Sequence, residues 1–399
     1  MAKSLPLECI MNELIYVDHA ATTPLRTEAR AAMEPFLADN YANPSSVYRM
    51  AQTARSALDE ARDTIAQCLG TQPSELVFTS GGTESNNAAI KGVALARRDA
   101  GRHIVTTAIE HHAVLHPIEE LQELFGVEVT IVPVSESGIV DPDDIGRAIR
   151  PDTMLVSVMW ANNEIGTIQP IPDIAELARV RGIVLHVDAV QAAGVLPIDL
   201  RSVPIDLLSL SAHKFYGPKG TGALFVRRGT IWWPLLTGGG QERNRRAGTE
   251  NVAGIVGMAR ALELACAERE LTVHRLQELR DYLLDTIPAR IPKTRVNGDA
   301  RQRLPHNANF SFEGVHGESL LVGLDLAGIM ASSGSACTSG TLEPSHVLQA
   351  LGLPDRLAQA SLRITLGKGN TRPQLERTVD VLERLITRLR SLSPAARGA

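Results

Sequence analysis

The sequence predicts an α/β fold in which helices cover both faces of a mainly parallel sheet, followed by a smaller α+β domain. After residue 70, short apolar runs repeatedly lead into a polar or glycine-rich loop and then into a helical pattern. Near residue 270 this repeat gives way to one long amphipathic pattern, two alternating runs and a final helical pattern. Apolar strands that alternate with helices are typical of parallel sheets buried on both faces.

The chain has 399 residues, which corresponds to two or three domains. We assign residues 22–270 to a large domain, and residues 1–21 together with 271–399 to a small one. A net charge of −5 argues against nucleic-acid binding. No apolar run reaches the length of a membrane span. The four cysteines are scattered, without a CxxC pair, and residues 1–10 do not have the pattern of a secretion signal, so we expect a cytoplasmic protein with reduced thiols.

The predicted strands of the large domain are short apolar runs. In chain order they are residues 76–78, 104–105, 154–159, 183–187, 207–210 and 223–226. In the small domain, helical spacing spans residues 271–287 and 373–389, and alternating runs span residues 309–312 and 361–366. We expect the segment around residues 15–18 to pack onto this second domain.

Chemically reactive residue types follow the ends of the apolar runs. In open α/β sheets, ligands bind outside the carboxyl ends of the strands. The shared position of these residues therefore predicts one site, although each residue alone is weak evidence. The residues are Thr83, His111, Asn163, Asp188, Gln191, His213 and Lys214.

Lys214 and a glycine pair are the first two parts of this candidate site. A lysine amine forms Schiff bases with carbonyl compounds when burial or cationic neighbours lower its pKa. Most lysines are solvated loop residues, but Lys214 follows a buried strand and adjoins His213, which favours a function. Gly82 and Thr83 open a helical pattern, where free backbone N–H groups bind anions. Simple N-capping of that helix, by Ser80 or Thr83, is a compatible alternative.

Asp188 and His111 carry the acid–base chemistry of the prediction. A carboxylate at the end of a buried strand needs a cationic partner, and a protonated pyridine nitrogen is one such partner. An N-cap or a salt bridge explains Asp188 equally well. His111 suits acid–base work or stacking on a flat cofactor. A metal site with His112 and His116 is less favoured, because no carboxylate or cysteine pattern completes it.

Cys337 and Arg363 lie in the predicted small domain. Cys337 belongs to a run of small and polar residues, 332–340, which indicates an exposed loop and an accessible thiol nucleophile. Arg363 lies on an alternating run and is a candidate bidentate clamp for a carboxylate, or else an outward-facing strand charge. The basic run 243–251 either supplies phosphate donors or is a solvated face.

Taken together, these motifs resemble the cysteine desulfurases, which are class-V aminotransferase-like enzymes that use pyridoxal phosphate (PLP). The resemblance extends from residue 16 to about residue 394. Residues 160–163 and 241–244 are most similar to the NifS branch, rather than the IscS branch, which suggests a role in nitrogenase cluster assembly. The stretches that carry the resemblance are residues 16–23, 79–85, 161–164, 186–191, 211–214, 245–251 and 332–345.

The resemblance implies PLP fold type I, which is aspartate aminotransferase-like, and a homodimer with its active site at the subunit interface. It implies that Lys214 binds the cofactor as a Schiff base, that Asp188 pairs with the ring nitrogen, and that His111 stacks on the ring and moves protons. The other cofactor contacts that it implies are to the ring or its phenolic oxygen from Asn163 and Gln191, and to the phosphate from Gly82, Thr83, Ser211, His213 and, from the partner subunit, Thr249.

The resemblance further implies that L-cysteine is the substrate, that Asn43 and Arg363 hold its carboxylate and that Cys337 attacks its sulfur. The products would be L-alanine and a persulfide on Cys337, which passes to an iron–sulfur scaffold or another acceptor protein. The resemblance also leaves open that Cys337 and such a scaffold together bind a transient [2Fe–2S] cluster. The nearest rival is another reaction on the same cofactor, selenocysteine lysis or transamination. An aminotransferase would not need the Cys337 loop. A non-catalytic assembly scaffold would not need Lys214 and Asp188.

Overall fold

The computed structural model of the protein describes residues 14–333 and 344–392. Within these residues the strands are β1 (Ile15–Tyr16), β2 (Leu76–Thr79), β3 (His103–Thr107), β4 (Glu128–Val132), β5 (Thr153–Met159), β6 (Val184–Asp188), β7 (Leu207–Ser211), β8 (Gly222–Val226), β9 (Thr294–Val296), β10 (Asn307–Phe312), β11 (Ile329–Met330) and β12 (Ser361–Thr365). The α-helices of five or more residues are α1 (Thr27–Met33), α2 (Arg49–Leu69), α3 (Gly82–Ala96), α4 (His112–Phe125), α5 (Pro142–Ala148), α6 (Ile171–Arg181), α7 (Val252–Ala267), α8 (Arg269–Arg290), α9 (Gly317–Leu326), α10 (His346–Ala350), α11 (Asp355–Gln359) and α12 (Arg372–Leu392).

The largest sheet has seven strands in the order β2-β8-β7-β6-β5-β3-β4. The pairs from β7 through β4 are parallel, and β8 is antiparallel to both of its neighbours. The predicted mainly parallel sheet is therefore confirmed. Each apolar run that we predicted as a strand of the large domain lies in or overlaps one of these strands.

Both faces of this sheet are buried except at the edge strand β4, which explains why the inner strands are mostly continuous apolar runs rather than alternating ones. Successive residues of a strand point to opposite faces, and the apolar clusters follow that alternation. On β3, Val105 belongs to one cluster and Ile104 to the other. On β8, Phe225 and Leu224 divide in the same way. The first cluster includes residues of α2, α6 and α7, and the second includes residues of α3 and α4.

A second core follows the change of pattern near residue 270. The strands β12, β10 and β9 form an antiparallel sheet in that order, and β1 pairs with β11 in parallel. Apolar residues of these strands pack with α8, α9 and α12 in a separate cluster. The two predicted long helices and both alternating strands of this region are confirmed. The domain boundaries themselves stay a prediction.

No helix in the two described stretches of the chain is both long and apolar enough to cross a lipid bilayer.

Candidate active site

A cavity of about 260 Å³ lies at the carboxyl ends of β5, β6 and β7. Most of the residues that the sequence singled out line it. These are Gly82, Thr83, His111, Asn163, Asp188, Gln191, Ser211, His213, Lys214 and Arg363. Asn43 and Thr249 are exposed on this chain and lie outside the cavity lining. Cys337 lies outside the described residues.

Lys214 reaches the cavity from a single 3₁₀ turn, residues Ala212–Lys214, that directly follows β7. Its Nζ donates hydrogen bonds to the carbonyl oxygens of Ala20 and Ala21, at 2.6 and 2.7 Å. The backbone N–H of Ala20 in turn donates to Thr365 Oγ1 on β12, at 2.9 Å. The N-terminal segment that follows β1 therefore holds the amine at the cavity, and that segment is fixed to the second core.

Asp188 is the last residue of β6, and only 6% of it is exposed. Its Oδ2 accepts a hydrogen bond from Asn86 Nδ2 at 2.7 Å, and its Oδ1 accepts one from the Val190 backbone N–H at 3.0 Å. Two donors hold the carboxylate in place, because a buried charge without partners would be costly. The Asn86 side chain and the turn at Val190 therefore orient Asp188.

The N-terminus of α3 forms the glycine side of the cavity. Residue Gly81 precedes the helix with φ 152°, and no side chain caps the helix, so neither Ser80 nor Thr83 acts as the N-cap. A Cβ atom on Gly82 would lie 2.7 Å from Val190 Cγ2 and 3.5 Å from Ser211 Cβ. Glycine is thus required for close packing here, and the uncapped N–H groups suit an anion.

Three histidines near the cavity have lowered pKa values: His186 is buried, and His111 and His213 are half-buried. Burial lowers the pKa of His111, and the nearby Lys214 and His112 lower it further, against the opposing effect of Asp188. The Ala113 N–H donates to His111 Nδ1 at 3.0 Å, so the proton of the neutral ring is on Nε2. Burial lowers the pKa of His213 to about 4, and burial lowers that of His186 to about 3.

Arg363 extends from β12 into the cavity wall. Its NH2 donates to Asp18 Oδ1 at 2.7 Å, and its NH1 donates to the Asn163 carbonyl oxygen at 3.1 Å. Its Nε is buried and has no hydrogen-bond partner among residues 14–333 and 344–392. The guanidinium is therefore an oriented group with a donor still to be satisfied, which suits a ligand carboxylate. It is not an outward-facing strand charge, because only 2% of the residue is exposed.

The residues present fit PLP. The uncapped α3 N-terminus at Gly82 and the Ser211 side chain beside it suit a phosphate group. The buried carboxylate of Asp188 suits a protonated ring nitrogen, and the Lys214 amine lies at the same cavity. The cavity volume of about 260 Å³ is close to the lower end of the roughly 300–1,000 Å³ typical of ligand pockets.

Four contributors to this site were absent from our sequence analysis. Asn86 binds Asp188, Asp18 binds Arg363, and the carbonyl groups of Ala20 and Ala21 bind Lys214. Asn86 could have been found, because it lies three residues after Thr83 on the same helix and so faces the same side. The other three come from residues 18–21, and only tertiary structure brings that segment to β7 and β12.

The histidine pattern that suggested a metal has another arrangement. His112 stacks on His116 with ring centroids 4.7 Å apart, and it lies 4.8 Å from His346. In the part of the chain that the structure describes, no group of three or more His, Cys, Asp or Glu side chains is placed to hold a metal ion.

Comparisons with known proteins agree with this geometry. Residues 15–378 match the family model described as aminotransferase class-V. The chain is 53% identical over 384 residues to cysteine desulfurase IscS of Dictyoglomus turgidum, covering 96% of this chain and 97% of that protein. It is 52% identical over 383 residues to the IscS of Methanosarcina thermophila, covering 96% and 94%. A solved NifS-like protein superposes with a TM-score of 0.88 at 37% identity, covering 94% of this chain and 99% of that one. The chain therefore belongs to the class-V aminotransferase family of fold type I, whose cofactor is PLP, and its relatives here are cysteine desulfurases.

Proposed function

We propose that this protein is a PLP-dependent cysteine desulfurase, a sulfurtransferase that takes sulfur from L-cysteine and releases L-alanine. The sulfur is received by Cys337 as a persulfide and delivered to acceptor proteins for iron–sulfur cluster assembly. The observation that carries this proposal is that Lys214, Asp188 and Arg363 line one cavity. They come from three separate elements, because Lys214 lies in the turn after β7, Asp188 ends β6 and Arg363 lies on β12. An amine, a buried anion and a carboxylate clamp are what an amino-acid substrate of this cofactor requires.

PLP, when bound, supplies an electron sink for the bonding electrons of the substrate Cα. Asp188, held by Asn86 and the Val190 N–H, would pair with the ring nitrogen through its carboxylate. Lys214 Nζ is held by two carbonyl groups and is positioned to accept a proton from Cα and return it. His111 lines the same cavity, and its neutral ring carries the proton on Nε2, because Nδ1 accepts from the Ala113 N–H.

Arg363 is proposed to bind the substrate carboxylate and so to orient Cα. The guanidinium is fixed by Asp18 and the Asn163 carbonyl before any ligand arrives. A pre-oriented donor loses little freedom on binding, which favours both affinity and geometry. We also propose Asn43, which is exposed on this chain, as the second contact of the substrate carboxylate.

Cys337 is proposed as the sulfur acceptor. Its thiolate forms a sulfur–sulfur bond to the substrate as the carbon–sulfur bond breaks. The electron pair of the broken bond stays with the carbon skeleton, which becomes L-alanine after protonation. Support comes from the described residues on either side of the segment that contains Cys337. Ser332 exchanges backbone hydrogen bonds with Arg363, at 2.7 and 3.3 Å, and Ser345 Oγ contacts Glu164, next to Asn163.

We also propose a homodimer in which Thr249 of the partner subunit completes the phosphate contacts. Thr249 is exposed on its own chain and is not among the residues that line that chain's cavity, which supports a role across an interface. Sedimentation of the purified protein would test the oligomeric state. A Thr249→Ala variant with weakened PLP binding would support the contact.

The deciding experiment is single-turnover formation of alanine from L-cysteine by wild type and Cys337→Ala, followed by a thiol reductant that releases the persulfide sulfur as sulfide, with the visible absorbance of the cofactor recorded in parallel. We expect the wild type to release both products, and the variant to keep its bound cofactor and lose turnover. Normal turnover by Cys337→Ala would overturn the proposal, and a lyase or aminotransferase reaction would take its place.

A further inference from the structure

Ser345 joins a helix to the cavity wall. It is the N-cap of α10, and its Oγ accepts a hydrogen bond from the Leu348 N–H at 3.2 Å. The same hydroxyl donates to Glu164 Oε2 at 2.5 Å. Glu164 directly follows Asn163, which lines the cavity. One hydroxyl group therefore links the start of α10 to the loop that carries Asn163.

His346, the next residue, makes a matching contact on a second loop. Its Nε2 lies 2.9 Å from the carbonyl oxygen of Glu110, which can accept a hydrogen bond from it. Glu110 directly precedes His111, which also lines the cavity. Two consecutive residues thus bind the immediate neighbours of two cavity residues.

The region behind these contacts is packed and internally bonded. Val347 and Leu348 of α10 share one apolar cluster with Ile109, Met159 and Ile165, which come from the two loops and from β5. The loops are also tied to each other, because Asn162 Nδ2 donates to the Ile109 carbonyl oxygen at 2.9 Å. A displacement of α10 would therefore be transmitted to both loops.

Holding a helix with a buried carboxylate costs desolvation free energy. Glu164 is only 5% exposed. Burial raises its pKa to about 7, although the Ser345 hydroxyl and Arg363 both lower it. An apolar contact would anchor α10 at lower cost, so the polar contact suggests a need for a fixed direction.

We propose that Ser345 and His346 are positioning residues, which hold the loops of Asn163 and His111 in the arrangement that the bound cofactor and substrate require. This inference rests on the proposed function, since it assumes that Asn163 and His111 contact the cofactor ring. It assigns to α10 a role in catalysis that is exerted through other residues, without contact to the reacting atoms.

The test compares Ser345→Ala, Ser345→Gly and Ser345→Thr as holoenzymes. Threonine keeps both the cap and the donor, whereas glycine caps a helix almost as well but has no hydroxyl to donate to Glu164. Asp141→Ala is the matched control, because Asp141 caps the surface helix α5 and lies outside the cavity lining. The readouts are kcat and KM for L-cysteine, and the visible circular dichroism of bound PLP, which responds to the tilt of the ring.

We expect Ser345→Ala and Ser345→Gly to lower kcat about tenfold, the size expected for one lost hydrogen bond to a charged group. KM should change less than kcat, because Arg363 keeps its ion pair with Asp18, which lies outside the displaced loop, and the circular dichroism of the cofactor should change. Ser345→Thr should restore both signals, and Asp141→Ala should leave both at the wild-type values. His346→Phe, which removes the second donor, should change the circular dichroism in a similar way.

Wild-type kcat and circular dichroism in Ser345→Gly would overturn the inference, as would equal impairment in Ser345→Thr. The comparison of circular dichroism needs no turnover of L-cysteine. It therefore decides the role of Ser345 even if Cys337→Ala shows that Cys337 is not the sulfur acceptor.

Discussion

Gly222→Ala is the sharpest test of the glycine side of the cavity. Gly222 opens β8 and pairs with Thr79 on one side and Ser211 on the other. A Cβ at this position would lie 2.6 Å from Gly81 Cα and 2.6 Å from the Leu210 carbonyl oxygen, whereas ordinary contact begins at 3.4 Å. Backbone atoms must therefore move by about 0.8 Å, because neither contact is the end of a flexible side chain.

Overpacking of this kind lowers the free energy of unfolding by about 1–3 kcal/mol. Alanine also reduces the conformational freedom of the unfolded chain relative to glycine, which raises that free energy by at most about 1 kcal/mol. We expect the apoprotein to lose about 1–2 kcal/mol of stability. We also expect PLP to bind about tenfold more weakly, which corresponds to about 1.4 kcal/mol, because the displaced Gly81 precedes the phosphate end of α3.

Urea unfolding of the apoprotein and PLP titration by absorbance measure the two effects. Gly369→Ala is the matched control, since a Cβ there meets no atom within 4 Å and the backbone is not left-handed. Its stability should stay within about 0.5 kcal/mol of wild type. If Gly222→Ala matched Gly369→Ala in both measurements, the steric reasoning would be refuted.

Two further predictions concern buried titratable groups. Burial raises the pKa of Glu110 to about 8, above its unfolded value, so its stabilising effect is complete at low pH and is lost as pH rises from about 4.5 to 8. The free energy of unfolding, measured by urea titration near pH 6 and pH 8, should therefore fall with pH in the wild type, by at most about 1.4 kcal/mol per pH unit for this group. It should fall less in Glu110→Gln, and an equal slope in both proteins would count against this account. The Cys68 thiol donates a hydrogen bond that lowers the pKa of Cys266 to about 7 and raises that of Cys68. Iodoacetamide should therefore modify Cys266 before Cys68, and Cys68→Ala should slow the reaction at Cys266; peptide mass spectrometry in which Cys68 reacts first would contradict this order.

The part of the site that could be predicted from the sequence is the part that depends on local order. Asp188, His213 and Lys214 each come at the end of an apolar strand or directly after it, and parallel strands bring their carboxyl ends to one edge. The sheet and its edge follow from the repeat of strand and helix, so these residues were found without knowledge of the tertiary contacts.

The part that could not be predicted depends on contacts between distant segments. Asp18 and Arg363 are 345 residues apart, and their ion pair has no signature in either local sequence. The uncapped start of α3 was also unpredictable, because Ser80 and Thr83 are both good capping residues by type. There the chain leaves its helix N–H groups without a side-chain partner, as a bound phosphate would require.

The contacts of Ala20 and Ala21 with Lys214, and of Asp18 with Arg363, also constrain the biosynthesis of the site. A ribosome makes residues 18–21 first, yet these residues obtain their partners only after residues 214 and 363 have emerged. Contacts between residues so far apart in sequence form late and slowly in folding. A nascent chain shorter than about 363 residues therefore has no complete pocket in which to bind the cofactor.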